Sequence, residues 1–183
     1  MSSVTSFIEG KLKLKVNSNK SAVDRPWKRK FLGFSFTSGK EPKVRIAKES
    51  VKRMKNKIRE ITSRKKPYSM EYRINKLNQY LMGWCGYFAL ADTPSIFIKF
   101  DSWIKRRIRM CIWKDWKKPG TKVRKLIGLG IPIGKAYEWG NSRKSYWRIS
   151  KSPILHKTLG NSYWSSRGLK SLISRYDALR HKS

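Results

Sequence analysis

The spacing of apolar residues changes at Ala47, and this change constrains the fold more than any other feature. Before it, Lys11–Val16 alternates basic and apolar residues with a period of two, and Phe31–Thr37 and Lys43–Ile46 are two further short strand candidates. From Ala47 to Cys111, apolar residues recur every three or four positions, which predicts amphipathic helices. Because three short strands and one helix near residues 2–9 cannot make an independent domain, the main core is predicted to be helical.

Three long helices are predicted after this change. The first begins near Ala47, the second near Ser69, and the third after Thr93, which precedes a proline in the way that N-cap residues do. Their connections are short, which favours a bundle. The predicted core faces are Ala47, Val51, Met54, Ile58 and Ile61; then Ile74, Leu77, Leu81, Trp84, Cys85 and Phe88; then Phe97, Phe100, Ile104, Ile108 and Cys111.

Beyond the break at residues 117–120, the pattern predicts shorter elements. Helices are expected at 123–129, 135–140, 153–159 and 169–179, with an extended link over 144–149. The predicted fold class is mainly α (α+β overall), in three regions. These are a small antiparallel β remnant at 1–46, a three-helix bundle at 47–118 and a small helical basic region at 119–183.

The charge of the chain points to a polyanionic partner. Lys and Arg number 44 against 11 Asp and Glu, a formal net charge of +33, yet 13% of the residues are aromatic. A disordered basic tail would be poor in aromatics, so this is predicted to be a folded body with a very positive surface. A partner that cancels so many charges is expected to be a nucleic acid, because each neutralised phosphate releases counterions. No apolar run reaches the roughly 18 residues of a membrane span, and no secretory signal begins the chain, so neither a membrane partner nor secretion is expected.

No catalytic or metal-binding motif is visible. The acidic residues are scattered, with no Asp-Asp pair of the kind that holds two metal ions, and His156 and His181 stand alone. The glycines at 128–134 lack the Lys-Ser/Thr of a P-loop. Cys85 and Cys111 form no CxxC pair and are expected to be buried thiols. The sequence therefore predicts neither a catalytic residue nor a metal site.

Several stretches resemble the C-terminal half of group II intron-encoded reverse transcriptase/maturases. Leu77–Trp84 (LNQYLMGW) and Asp101–Arg107 (DSWIKRR) resemble the maturase-specific region, which is the thumb or X domain. Lys11–Asn17 is similar to the palm segment after the catalytic aspartates, and it places Lys20 at the motif D lysine. Phe31–Phe34 resembles the primer-grip hairpin, with Phe31, Leu32 and Gly33 as the matching residues. Beyond Pro119, three segments resemble the DNA-binding region of these proteins: Lys122–Leu129, Tyr137–Trp147 and Pro153–Leu159.

The resemblance implies a family of RNA-directed DNA polymerases, but only part of one. The fingers, most of the palm and the catalytic aspartates would lie before Met1, so no reverse transcription is expected from this polypeptide alone. No cofactor is expected in this chain, and Mg²⁺ only together with the catalytic palm. The implied partners are group II intron RNA and, as further candidates, target DNA and an N-terminal reverse-transcriptase piece. The expected compartment is the bacterial cytoplasm or an organelle.

Three readings of function remain open at this point. The first is an RNA-binding maturase module of a truncated protein, which supports splicing and mobility. The second is the C-terminal part of a split polymerase. The third is a degenerate fragment with no selected role, which the intact thumb motifs argue against.

The candidate contacts to nucleic acid come from two helix faces and the basic C-terminal region. Lys48, Lys52, Lys55 and Arg59 recur along one flank of the first helix at i, i+4, i+7 and i+11. Further candidates are the basic residues on the face of the third helix opposite its core, and aromatic residues that could stack on unpaired bases. Trp84 and Trp103 are instead expected to pack between helices. The predicted contacts are Lys20, Lys48, Lys52, Lys55, Arg59, Lys99, Arg106, Arg109, Trp113, Lys122, Arg143, Tyr146, Trp147 and Arg148, with Phe31, Leu32 and Gly33 at the primer-grip-like hairpin.

Overall fold

The computed structural model describes residues 1–18 and 21–181, and in this part of the chain it shows ten α-helices, one short 3₁₀-helix and two strands. The mainly α fold class with a small antiparallel β element is confirmed. The elements are α1 (Ser2–Gly10), a 3₁₀-helix (Pro26–Lys28), β1 (Phe34–Phe36), β2 (Val44–Ile46), α2 (Lys48–Ile61), α3 (Met70–Phe88), α4 (Pro94–Asp115), α5 (Pro119–Gly128), α6 (Ile133–Gly140), α7 (Tyr146–Ile149), α8 (Pro153–Thr158), α9 (Asn161–Ser166) and α10 (Leu172–Arg180).

The β element is a single hairpin. β1 and β2 pair antiparallel, with Phe34 opposite Ile46 and Phe36 opposite Val44. The third strand predicted at residues 11–16 is wrong, since these residues form neither a strand nor a ladder with the hairpin. Alternation of side chains makes a strand only where a neighbouring backbone accepts its hydrogen bonds, and here Leu12 and Leu14 are exposed.

The three-helix bundle forms as predicted and carries the core. Of the residues on the three predicted core faces, only Val51 is half-buried, and all the others are buried. The Ser69 hydroxyl accepts a hydrogen bond from the Tyr72 N–H at 3.1 Å and caps α3, so the predicted start of this helix near Ser69 is confirmed. Thr93 precedes α4 but its side chain makes no cap, and its hydroxyl is buried without a partner among the described residues.

A buried arginine holds the loop between α2 and α3. The guanidinium of Arg73 donates to the backbone carbonyls of Ile61 at 2.8 Å, Ser63 at 3.0 Å and Lys66 at 2.8 Å. Because three backbone carbonyls accept hydrogen bonds from one guanidinium, a side chain of α3 holds the loop over residues 62–68 in place.

The C-terminal region packs back onto the bundle. α10 contacts both α3 and α4, and the Asp101 carboxylate of α4 accepts from the Ser171 hydroxyl (2.6 Å) and from the N–H groups of Leu172 (2.9 Å) and Ile173 (3.2 Å). An acidic side chain from another helix thus caps the N-terminus of α10. One cluster of buried side chains runs from Ile46 to Tyr176, and the predicted boundary at 118/119 stays a prediction.

Two sequence-based expectations for this region need correction. Residues 144–149 were expected to be extended, but Tyr146–Ile149 form α7, which Ser145 caps by accepting from the Arg148 N–H at 3.4 Å. The short helix α9 has no counterpart among the predicted elements. Helices of four and six residues contain too few positions to show an apolar period, and of the two only α7 has a capping serine that could have indicated it.

Candidate nucleic-acid interface

One side of α2 is a row of cations. Lys48, Lys52, Lys55 and Arg59 are all exposed, as their spacing predicts, while Met54 and Ile58 on the other side are buried. Within the described ranges, no acidic side chain forms an ion pair with any of these four cations. The α2 cations are thus available to an external anion.

α4 continues this row through an aromatic side chain. Two guanidinium groups lie near the half-buried ring of Trp103, with Arg59 of α2 at 5.7 Å and Arg107 of α4 at 5.5 Å from its centroid. Arg107 donates through its Nε to the Thr62 hydroxyl. Burial lowers the pKa of Arg107, and the nearby Arg59 and Arg64 lower it further. Cations from two helices are therefore crowded against one indole ring.

Two depressions follow this surface and share Arg59. The first has a volume of about 310 Å³ and lies between α2 and α4. The second, of about 560 Å³, lies between the 62–68 loop, α4 and α7. The first is lined by Val51, Lys55, Arg59, Ile96, Lys99, Phe100 and Trp103, and the second by Arg59, Ser63, Arg64, Lys65, Arg107, Met110, Lys114, Tyr146 and Trp147.

Two arginines contact α7 and hold it against this surface. The Arg106 guanidinium lies 3.8 Å from the centroid of the Trp147 ring and donates to the Trp147 carbonyl at 3.1 Å. Arg64 lies 5.0 Å from the centroid of the Tyr146 ring. Both rings keep an accessible part, since Tyr146 is half-buried and Trp147 is exposed. The cations and rings that these elements bring together form the basic face: Lys48, Lys52, Lys55, Arg59, Arg64, Lys65, Lys99, Trp103, Arg106, Arg107, Lys114, Tyr146 and Trp147.

Three predicted contacts are not on the surface, so their expected exposure is wrong. Arg109 is only 4% exposed and donates to the carbonyls of Ser150 (3.1 Å) and Leu159 (3.4 Å). Trp113 is 1% exposed, with the Nζ of the buried Lys122 at 5.1 Å from its ring centroid. The sequence pattern treats α4 as a helix with one covered side, but the residues that follow α7 and α8 cover it at Arg109, and Lys122 of α5 lies over Trp113.

The buried Arg109 is held together with His156. Its guanidinium approaches the His156 Nε2 at 3.0 Å. Burial, followed by the charge of Arg106, lowers the pKa of Arg109 to about 10, so it remains a cation at neutral pH. A cation donates here, and His156 is therefore neutral with Nε2 as the acceptor.

The primer-grip-like residues form a tight turn directly before β1, which is closed by backbone hydrogen bonds between Phe31 and Phe34. Phe31 and Leu32 are 76% and 65% exposed. Gly33 adopts φ +81°, and a Cβ added there would lie 2.9 Å from the Ser50 hydroxyl, so the turn requires glycine. The Tyr87 hydroxyl donates to the Leu32 carbonyl at 2.8 Å, which ties the turn to α3. Two apolar side chains are therefore presented on a fixed turn, and their role in primer binding stays a prediction.

Of the remaining predicted contacts, Arg143 precedes α7 and Arg148 lies within it, and both are exposed, whereas Lys20 falls outside the described residues. The sequence-based prediction missed Arg64, Lys65, Arg107 and Lys114. A signal was available for the first two, because an Arg-Lys-Lys run directly follows the first predicted helix.

These contacts define a class of protein: a helical bundle with one face that gathers cations and aromatic rings. None of the ion pairs seen among the described residues involves this face. Residues 51–127 match the family model of the group II intron, maturase-specific domain, which confirms the recognition of a maturase region from the sequence. The match covers most of α2, all of α3 and α4, and most of α5. No curated protein matches the chain.

No helix among the described residues is long and apolar enough to cross a membrane. Within residues 1–18 and 21–181, no three side chains of His, Cys, Asp or Glu lie close enough together to hold a metal ion.

Proposed function

We propose that this chain binds folded group II intron RNA through the basic face and acts as a maturase that supports splicing. The observation that carries the proposal is the position of that face: most of its cations belong to the segment that matches the maturase-specific domain. The proposed place of action is where such introns are transcribed, the bacterial cytoplasm or an organelle.

The chemistry of the face suits a phosphate backbone. Lysines and arginines spaced along α2 and α4 neutralise successive phosphates, and each neutralised phosphate releases counterions. Such contacts position a protein on A-form RNA, which is read mainly by its shape. Target DNA is a further polyanion that the exposed Arg143, just before α7, and Arg148, within it, would contact in the same way.

The proposal is tested by charge reversal at matched places. The variant Lys52→Glu/Arg59→Glu changes the basic face, and Lys170→Glu/Arg175→Glu makes the same change of net charge at exposed positions beside and on α10. α10 packs on the side of α4 that carries Asp101, which lies about 200° around the helix from Trp103. Both variants therefore weaken generic attraction equally, and only the first alters the proposed contact surface.

Binding of the folded intron RNA and of a scrambled RNA of equal length is measured by fluorescence anisotropy across a salt series. We expect the parent chain to favour the folded RNA about tenfold at about 0.3 M salt, and Lys52→Glu/Arg59→Glu to lose this preference and to reduce the salt slope by about two. The α10 control should keep the preference. Equal losses in both variants would mean that the charge acts only in bulk, and the proposal would be rejected.

A second candidate function is supported by the N-terminal residues. α1 buries none of its residues, and Phe7 and Leu14 are 58% and 61% exposed. Apolar side chains left exposed in this way are typical of an interaction site. We propose as the alternative that a separate N-terminal polypeptide covers them, supplies the fingers, palm and catalytic aspartates, and holds Mg²⁺.

This alternative predicts that mixing the two polypeptides restores Mg²⁺-dependent synthesis of complementary DNA. Phe7→Asp should abolish the restored synthesis while leaving RNA binding by the basic face unchanged. Failure to detect synthesis at any ratio of the two polypeptides would reject the split-polymerase reading and leave the maturase proposal untouched.

A further inference from the structure

The cleft between α2 and α4 contains more apolar surface than phosphate binding requires. Its floor consists of Val51, Ile96, Phe100 and Trp103, and its rim carries Lys55, Arg59 and Lys99. A phosphate backbone needs the cations alone, because its oxygens gain nothing from a hydrocarbon floor. The ligand that fits both parts has a flat apolar body joined to negative charge.

We infer that an unpaired nucleobase of the bound RNA enters this cleft while its flanking phosphates lie on the cationic rim. The inference rests on the proposed RNA-binding function and names the feature of the RNA that the site takes. Bases inside an A-form stem are stacked and cannot reach a side-chain floor, whereas a bulged or single-stranded base can be splayed out. A volume of about 310 Å³ is at the small end of ligand clefts, which suits a single base and excludes a stem.

The floor is held in place before any ligand arrives. Phe100 packs with its ring centroid 6.2 Å from that of Trp103 and 5.8 Å from that of the buried Trp84. The Trp103 ring also contacts the guanidinium groups of Arg59 and Arg107, at 5.7 and 5.5 Å from its centroid. A site whose side chains are already fixed loses little conformational freedom on binding, so a modest contact area yields measurable selectivity.

Charge decides which occupant is favoured. The rim of the cleft carries three cations and no carboxylate lines it. An apolar peptide segment would fit the floor and leave these charges unused, whereas a nucleotide uses both parts at once. Stacking on aromatic side chains also tolerates any base, and the selectivity expected here is therefore for an unpaired base and not for its identity.

Three RNA hairpins test the inference with the intact chain. They share one stem; the first is fully paired, the second has one bulged adenosine, and the third has an abasic nucleotide at the same bulge. We expect the base-containing bulge to bind about fivefold or more tightly than both others at about 0.3 M salt, the lower end of the effect of base–aromatic stacking. The abasic bulge retains the bend and the phosphates, so it separates base insertion from recognition of shape.

Variants place the effect in the cleft. Trp103→Ala removes part of the floor of the cleft, and Ile96→Phe fills the cleft without removing a cation. Each of these variants should bind the three hairpins with equal affinity. Tyr137→Ala is the matched control, because Tyr137 is an exposed aromatic on α6 outside the cleft, and it should keep the parent preference. The second variant keeps the test valid if Trp103→Ala does not fold.

The outcomes separate this inference from the function on which it rests. Equal affinity for the two bulged hairpins, or for all three, would overturn base insertion and leave RNA binding by the basic face in place. A preference that survives in Ile96→Phe would place the base elsewhere and also overturn the inference. Failure of the parent chain to favour folded intron RNA over scrambled RNA would instead reject the proposed function.

Discussion

Replacing Arg73 by methionine should destabilise the protein and loosen part of the basic face at once. Arg73 is buried, and it donates to three backbone carbonyls at 2.8, 3.0 and 2.8 Å. These carbonyls belong to the segment from Ile61 to Lys66, which also carries Arg64 and Lys65. Methionine fills a similar volume but donates no hydrogen bond, so all three carbonyls lose their partner.

The magnitude follows from opposing contributions. Hydrogen bonds from a charged donor contribute about 1.5–3 kcal/mol each, so three of them give a gross stabilisation of several kcal/mol. Burying the guanidinium costs several kcal/mol, and the Arg73 Nε lies buried without a partner among the described residues, so part of that cost is not offset. We expect Arg73→Met to lower the free energy of unfolding by about 3 kcal/mol, and Arg73→Lys by about half of this, because one ammonium group cannot span three carbonyls.

Urea denaturation followed by tryptophan fluorescence measures the loss of unfolding free energy in Arg73→Met and in Arg73→Lys. Hydrogen exchange of the amides at residues 62–68 gives a local readout, and exchange should accelerate there before it does in α4. RNA affinity measured where the variant is still folded should fall as well, since Arg64 and Lys65 lose their fixed positions. A loss of stability under about 1 kcal/mol for Arg73→Met, with unchanged exchange in the loop, would refute the reasoning by showing that water replaces the guanidinium at no cost.

Three further predictions concern single contacts. Asp101→Asn should lower the unfolding free energy by about 1–2 kcal/mol in urea, because an amide leaves one donor at the start of α10 without an acceptor; equal stability would reject the cap. Burial, and after it the charge of Arg109, lower the pKa of His156, so its contribution to stability is present above its unfolded value of about 6.5 and is lost as the pH falls through the folded value. Urea midpoints should therefore fall between about pH 7.5 and about pH 5.5, and less so in His156→Gln; an equal fall in both would contradict this. Gly140→Ala should lower the thermal midpoint, since the added Cβ would lie 2.5 Å from Val123 Cγ2, whereas Gly134→Ala, with no neighbour within 4 Å, should not.

The periodic part of the fold could be predicted from the sequence. The apolar spacing from Ala47 to Cys111 gave three helices with the correct core faces, because burial on one side of a long helix leaves a regular pattern. The strand predicted at 11–16 failed because a strand depends on a partner backbone, which alternation of side chains does not supply. The turn of helix in α7 and the short α9 were missed since neither is long enough to show a period.

The candidate interface divides in the same way. Lys48, Lys52, Lys55 and Arg59 could be predicted, because their helix has a single covered side and the opposite flank must meet solvent. Arg109 and Trp113 could not be assigned correctly, because the residues after α7 and α8 and the Lys122 side chain of α5 cover a side of α4 that its own sequence marks as polar. Trp103 was expected to pack between helices, and it does so only in part.

By itself, the sequence determined the net charge, the helical bundle with its buried faces, the α2 cations and the maturase-specific segment, since all of these are local or periodic properties of the chain. The tertiary structure alone decided which cations meet. Arg59, Arg64 and Arg107 come from two helices and a loop, and they converge on one surface because Arg73 fixes that loop and two of their guanidinium groups pack near the Trp103 ring. Likewise, only the packed structure shows that the Asp101 carboxylate caps a helix some seventy residues away. Contacts between distant segments depend on how several elements cover one another, and no local pattern in the sequence records that.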